Sequence, residues 1–421
     1  MFKKNTTVYN VFILGIGTIL AQTINLIVQP VLTRIVSPEQ IGIYTFLISI
    51  ANLIIPVASL KLTMLIVIEE DDQEAEYLTD ISIITTIIVT IMCFIILLVF
   101  FLIGNNIFTE IGPLIFLLPL IILTSGMKFI FSSHNNRFKM YGLMAKVDIL
   151  REFFKGIVQI TGAIFTNGGN ALIIGYLVAP LLGLKIQTKD YFKNLSKRKF
   201  ISLENAFKIF ISNKRHVFYT VPAQFVNSFS YTLITISIIT LFSPKEAGYY
   251  AIAYMVLGLP LVLVSSNVSK VYFQNLKSLK SEGKSIFNSF LIFTSILSIT
   301  SLFFFLILSY SAPMLSKIIF GNGYEESGVY ISILCLMYGL RFIATSISGA
   351  FVFFNKQNWD MYFQFSLVMM GLLAHIFTVY LSLNIYQYLL MISTGYGAIY
   401  ALIVLVIGIY SKKINYKSIT M

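Results

Sequence analysis

Charge is what this chain lacks most. Charged residues make up only 11% of it, less than half of the roughly 25% found in soluble domains, and that excludes a soluble globular fold. Cysteine is almost absent: Cys93 and Cys335 each stand midway along an apolar run, too far from water for easy oxidation, which excludes a disulfide framework. Histidine is as scarce. His134, His216 and His375 are scattered without metal-ligand spacing, so no metal is expected. The chain has no phosphate-binding P-loop, which leaves ATP hydrolysis unsupported. It has no GxSxG or comparable nucleophile motif either; neither a cofactor nor catalytic residues are expected.

What the chain has instead is apolar length. It is 57% hydrophobic, with a mean hydropathy of +0.84, and a membrane-crossing helix needs about 20 apolar residues. Twelve such runs are expected, over 8–32, 40–66, 78–103, 112–132, 146–165, 169–188, 217–242, 246–271, 286–310, 327–353, 360–381 and 387–410. These runs are too long and too evenly apolar for barrel strands, which run near ten residues and alternate. The expected fold is an all-α integral membrane protein. The first run is also too long for the apolar core of a signal peptide and reads as a retained span.

Net charge is +12, which could suggest nucleic acid, but the placement of the charges argues otherwise. With the N-terminus cytoplasmic, the inner segments hold Lys3, Lys4, Arg137, Lys139, nine basic residues from Lys185 to Arg215, Lys270, Lys277, Lys280, Lys284, Lys356, Lys412, Lys413 and Lys417, 21 in all. The outer segments hold only Arg34, Lys245 and Lys317. Basic residues collect in cytoplasmic loops, so both termini are expected in the cytoplasm. No nucleic-acid partner is implied.

The chain also looks duplicated. Ser37, Pro38, Gly42 and Tyr44 reappear as Ser243, Pro244, Gly248 and Tyr250 at a constant offset of 206. Each copy reads as a helix start: serine caps, proline suits the first helical position, and Gln40 or Glu246 stands three residues after the cap. A weaker echo pairs Met140-Tyr141 with Met361-Tyr362 at an offset of 221. Two six-helix halves are expected, 1–190 and 217–421, joined by a basic cytoplasmic linker over 191–216. An even number of spans per half gives a parallel repeat, common in transporters.

Charge inside a span is expensive, about 2.5–3.5 kcal/mol per residue on the insertion scale, so each such residue is a functional candidate. The set is Lys61, Lys128, Asp148, Arg151, Glu152, Lys155 and Arg341. Its surplus of cations suits an anionic substrate. Lys61 and Lys128, near span ends, could instead snorkel to water. Asp148, Arg151, Glu152 and Lys155 share one helix face at i, i+3, i+4 and i+7, with Gln159 further along, so Asp148 can pair with Arg151 and Glu152 with Lys155. Arg341 has no acid anywhere in its span, which makes it the clearest binding candidate. The acidic run from Glu69 to Glu76 reads as a solvated loop favouring the start of the next helix. Pro30, Pro56, Pro119, Pro180, Pro222 and Pro260 lie within spans and permit bending.

The run Gln29-Pro30-Val31-Leu32-Thr33-Arg34-Ile35-Val36-Ser37-Pro38-Glu39-Gln40-Ile41-Gly42-Ile43-Tyr44 resembles the N-terminal signature of bacterial polysaccharide (O-antigen and capsule) flippases. Leu60-Lys61-Leu62 and the acidic stretch to Glu76 resemble it too, with Lys61 where arginine is usual and Leu62 and Thr63 where a tyrosine and an acid often follow. The resemblance implies a MATE-like fold of two pseudo-symmetric six-helix bundles in the plasma membrane. It implies an undecaprenyl-diphosphate-linked oligosaccharide as cargo, membrane lipid and other polysaccharide-assembly membrane proteins as partners, and a cationic cavity open to each side in turn. On that reading Arg341, Lys155, Arg151, Arg34, Lys61 and Lys128 meet the diphosphate, and Asp148 and Glu152 are the acids available for coupling. Ser37, Pro38, Gly42, Ser243, Pro244 and Gly248 form the outward helix-cap hinges. A drug/cation antiporter of the same fold is the alternative, disfavoured because no charge lies between Lys4 and Arg34. A membrane-embedded glycan polymerase fits less well, because the outer loops are short.

Overall fold

The computed structural model describes residues 7–103, 112–166, 168–195 and 201–419, which are helical and contain no strand. Lys3 and Lys4 of the basic tally lie outside them, as do Lys197, Arg198 and Lys199. The chain divides into two compact units, Met1–Ser228 and Phe229–Met421.

In the first unit the long helices are α1 (Thr7–Leu32), α2 (Pro38–Ala58), α4 (Asp72–Leu102), α5 (Leu118–Arg137), α6 (Tyr141–Thr166) and α7 (Asn170–Gln187). A short α3 (Leu62–Ile68) precedes α4, and α8 (Lys189–Leu195) and α9 (Leu203–Ser212) lead into α10 (Lys214–Leu241), in which the boundary between the units falls. The second unit continues with α11 (Pro244–Pro260), α12 (Ser266–Ser281), α13 (Ile286–Phe320), α14 (Glu325–Ile347), the short α15 (Ala350–Phe353), α16 (Gln357–Leu381) and α17 (Ile385–Ile419).

Among the described residues eleven helical segments are long and apolar enough to cross a membrane. The twelfth expected span is present as α6, 26 residues long, but its charges keep it outside that set. In lipid every backbone polar group must be satisfied within the segment, which is why runs of this composition become helices. Their packing inverts that of a soluble protein. On α4 the buried positions include Thr79, Ser82, Thr86 and Thr90, while Ile88, Ile91 and Ile95 are half exposed. The hydroxyls of Thr79, Ser82 and Thr90 donate to carbonyls four residues back at 2.7–2.9 Å, so these three are satisfied although buried, while the Thr86 hydroxyl is buried without a partner.

Small residues let helices meet closely. A Cβ at Gly156 of α6 would stand 2.6 Å from a methyl of Val28 on α1, and one at Gly328 of α14 would stand 2.7 Å from the Pro313 nitrogen on α13. Both Ser-Pro corners form as read. Ser37 Oγ accepts from the Gln40 amide at 3.4 Å and Ser243 Oγ from the Glu246 amide at 3.2 Å, with Pro38 and Pro244 opening their helices. Gly42 and Gly248, one turn in, are buried. A second pair of corners recurs at Lys139 and Asn355, both left-handed at φ 57 and 55. They stand 216 positions apart, so the Met-Tyr echo offset of 221 overstates the structural shift.

One expected span is shorter than its apolar run. Over 40–66 the helix stops at Ala58; Leu60 and Lys61 both turn left-handed, and α3 starts afresh at Leu62. Each left-handed non-glycine residue costs about 1–2 kcal/mol. The break is offset by a core in which Leu62 and Ile66 pack with Leu78, Ile81, Ile201 and Val217. At the end of α11 the chain does not break after Pro260. It passes through one π-helical stretch, Leu261–Ser265, and continues as α12.

Candidate functional site

The expected stripe on α6 is a network reaching three helices. Asp148 lies 3.6 Å from Arg151 on its own helix and 3.4 Å from Lys128 on α5. Arg151 donates to Glu152 at 2.7 Å, and Lys155 donates to the other oxygen of the same carboxylate. Lys155 also donates to the Asn25 side chain on α1 at 3.1 Å. Glu152 is buried at 8% exposure and is held between two cations. Further along the face, buried Gln159 donates to the Leu172 carbonyl at 2.8 Å, and the Tyr44 and Tyr176 rings meet edge-on at 6.3 Å. Three cations face two carboxylates here, so a positive surplus remains after internal pairing. Lys128 is thus a partner of Asp148, with its side chain 14% exposed, and not a free snorkelling lysine.

Arg341, in the second unit, is held differently. Its guanidinium carbon lies 4.0 Å from the Tyr231 ring centroid and 5.5 Å from that of Tyr338. The Tyr231 hydroxyl shares a 2.8 Å hydrogen bond with Tyr400, and Tyr396 donates to the Ser230 carbonyl at 2.7 Å. Among the described residues no carboxylate comes within ion-pair distance of Arg341, and its Nε is buried without a hydrogen-bond partner. Aromatic faces attract a cation without neutralising it, so this guanidinium is positioned yet keeps its charge and its fork of donors. That is the geometry that binds phosphate bidentately.

Arg34 and Lys61 are placed otherwise than deep in a span. Arg34 is exposed in the turn after α1 and donates to the Pro30 carbonyl at 2.7 Å, four residues back. Its repeat counterpart, Thr240, bonds the Ile236 carbonyl at 2.8 Å in the same i−4 manner. The two halves therefore share a helix-end role carried by different chemistry. Lys61 sits at the left-handed break before α3, not within a span, because the helix has already ended at Ala58. Its carbonyl faces His216 Nε2 at 3.4 Å, and burial lowers the pKa of its ammonium.

The reading of the acidic run needs correction in part. Asp71 does cap α4, accepting from the Gln73 and Glu74 amides at 2.6 and 3.4 Å. Glu76, however, is buried, and so is Asp80 one turn later. Glu76 contacts His134 Nε2 at 3.2 Å and accepts from Asn194 at 3.0 Å. Asp80 accepts from the Tyr191 hydroxyl at 2.6 Å and the Ile201 amide at 3.1 Å. These acids fasten Tyr191, Asn194 and Ile201 to α4. The signal in the sequence was the four-residue spacing of Glu76 and Asp80 leading into an apolar run. The tyrosines around Arg341 come from three helices, Tyr231 from α10, Tyr338 from α14 and Tyr400 from α17, and only Tyr338, three residues before the arginine, could have been found from spacing.

Comparison with known proteins then fixes the family. Residues 31–329 match the polysaccharide biosynthesis protein family. No curated protein sequence matches. Among solved structures, the lipid II flippase MurJ in an inward closed conformation superposes with a TM-score of 0.72 at 15% identity, covering 97% of this chain and 91% of that one. An inward-facing multidrug resistance MATE family transporter of the MOP superfamily gives 0.64 at 14% identity, covering 95% and 96%. A MOP superfamily transporter from Pyrococcus furiosus gives 0.59 at 13% identity, covering 99% of each chain. These likenesses establish a MATE-like fold. The chain belongs to the polysaccharide biosynthesis protein family.

Proposed function

We propose that this protein carries a polyprenyl-diphosphate-linked oligosaccharide across the bacterial plasma membrane by alternating access, with both termini cytoplasmic. The observation that carries the reading is Arg341, a positioned guanidinium with no carboxylate to neutralise it among the described residues. A carrier of organic cations would place an acid there. The diphosphate meets Arg341 directly. In the first unit Arg151, Lys155 and Lys128 offer the diphosphate a second place of their own, where phosphate oxygens would exchange with those of Glu152 and Asp148. Asp148 and Glu152 are then the groups free to take protons when the cations turn to cargo. Arg34 meets the cargo at the outer mouth, Lys61 lies at the opposite end of α2, and the Ser-Pro corners act as hinges. The glycan belongs to a surface polysaccharide of the capsule or O-antigen class. The test is complementation of a deletion strain: Arg341→Ala and Lys155→Ala proteins should insert at normal levels and export no surface glycan. Normal glycan display by both variants would overturn the assignment.

A further inference from the structure

In the first unit, α9 is apolar over more of its circumference than its packing uses. Ala206, Ile209 and Phe210 pack on the cluster of Leu62, Ile66, Leu78, Ile81, Ile201 and Val217. Glu204, Asn205, Lys208 and Ser212 share a polar face. Between these two faces lie Phe207 and Ile211, one turn apart and 64% and 44% exposed. The core of the protein thus covers one part of the apolar side and leaves the other uncovered.

The position of α9 along α4 identifies what meets the uncovered part. Counting about 30 Å of hydrocarbon back from Leu102, where α4 ends, at about 1.5 Å per residue reaches Ser82. The exposed large apolar side chains of α4 accordingly begin at Ile87. Leu78 and Ile81, in the cluster that receives α9, therefore stand at head-group level, and the first turns of α4 project beyond it into water. There Asp71, Gln73, Glu74 and Tyr77 face Asn205, Lys208 and Ile209 across a notch of about 320 Å³. Phe207 and Ile211 follow Asn205 and Ile209 by two residues, about 200° round the helix. The side of α9 that faces the water-exposed start of α4 is thus the polar one, and the uncovered apolar residues turn the other way, toward the bilayer.

We propose that α9 is an interfacial helix that seats Phe207 and Ile211 at the boundary between lipid head groups and acyl chains, on the membrane face where α4 begins. A helix lying in that boundary buries its apolar side by about 5–10 Å. Glu204 and Lys208 are the only charges of α9 and pair with each other at 2.6 Å. The contact is therefore apolar and takes zwitterionic and anionic lipid alike. It does not rest on the assignment of the cargo.

Trp359 is the only tryptophan in the chain, so Trp359→Phe supplies a dark background for a placed reporter. In that background Phe207→Trp puts the indole on the uncovered apolar face, and Ser212→Trp puts it on the polar face. Each full-length protein would be reconstituted in phosphatidylcholine with or without bromine high on the acyl chains, and separately exposed to iodide on both sides of the membrane. Bromine should quench the Phe207→Trp protein several-fold more than the Ser212→Trp protein, and iodide should reverse that order. Ile211→Trp should repeat the result at Phe207, and brominated phosphatidylglycerol should give the same quenching as brominated phosphatidylcholine. Strong quenching by iodide and none by bromine at Phe207 and Ile211 would overturn the proposal, since that face would then lie in water. Protection from both quenchers would overturn it too, because a second copy or another protein would then cover the face. A bromine effect confined to phosphatidylglycerol would also overturn it, since charge and not apolar contact would then hold the helix.

Discussion

Glu152 holds two cations with one buried carboxylate, and the α6 network can be dissected there by a thermodynamic cycle. Glu152→Gln leaves Arg151 and Lys155 facing an amide that cannot neutralise them. Breaking a buried ion pair by removing one partner costs about 3–5 kcal/mol. The lower end applies here. The Arg151 and Lys155 side chains are 20% and 11% exposed, Lys155 keeps Asn25 at 3.1 Å, and Arg151 keeps Asp148 at 3.6 Å. A loss of about 3 kcal/mol is therefore expected. Lys155→Met alone should cost less, because Glu152 retains the 2.7 Å bond from Arg151. In the double variant the remaining charges are Lys128, Asp148 and Arg151, and the orphaned ammonium is gone. Its cost should fall short of the sum of the singles by about 2 kcal/mol, within the range for residues in direct contact. Denaturant titration of the four proteins in mixed micelles, followed by circular dichroism, supplies the energies. Additivity to within about 0.5 kcal/mol would refute the idea that the two side chains form one unit.

Asp80→Ala removes the acceptor of two buried donors, Tyr191 Oη and the Ile201 amide; each stranded donor costs about 1–3 kcal/mol. Trypsin cleavage after Lys193 of α8 should speed up while the long helices stay intact, and an unchanged rate would count against the fastening role. Gly328→Ala drives a methyl into the backbone at Pro313 and should lower stability by about 1–3 kcal/mol. Gly258→Ala, with nothing within 4 Å of its Cβ, should be neutral or stabilising by about 0.5–1 kcal/mol. Thermal unfolding in detergent separates the two, and equal shifts would show that helix proximity at Gly328 is not limiting.

Local chemistry was legible in the sequence to the extent that it lay within one helix. The Ser-Pro caps, the pairing of Asp148 with Arg151 and of Glu152 with Lys155, and the isolation of Arg341 all follow from spacing along a single helix. What crosses between helices did not show. Lys128 meets Asp148 only because α5 packs beside α6, and Asn25 reaches Lys155 from a helix 130 positions earlier. The acids Glu76 and Asp80 look solvated beside their charged neighbours, and their burial is set by partners more than 50 residues away. The break at Leu60 and Lys61 was hidden because the apolar run continues through it. There a small tertiary core outweighs the continuity of the helix.

The central claim, that Arg341 recognises the diphosphate of a lipid-linked glycan, is tested most directly by flipping in proteoliposomes. Wild-type protein should move a short polyprenyl-diphosphate-linked oligosaccharide between leaflets. Arg341→Ala should reduce the rate by at least tenfold, and Arg341→Lys, a point charge without the bidentate fork, should fall between. The wild type should not move the same oligosaccharide on a neutral polyprenyl carrier. Equal rates for the charged and neutral carriers, or an Arg341→Ala protein as fast as the wild type, would contradict the account.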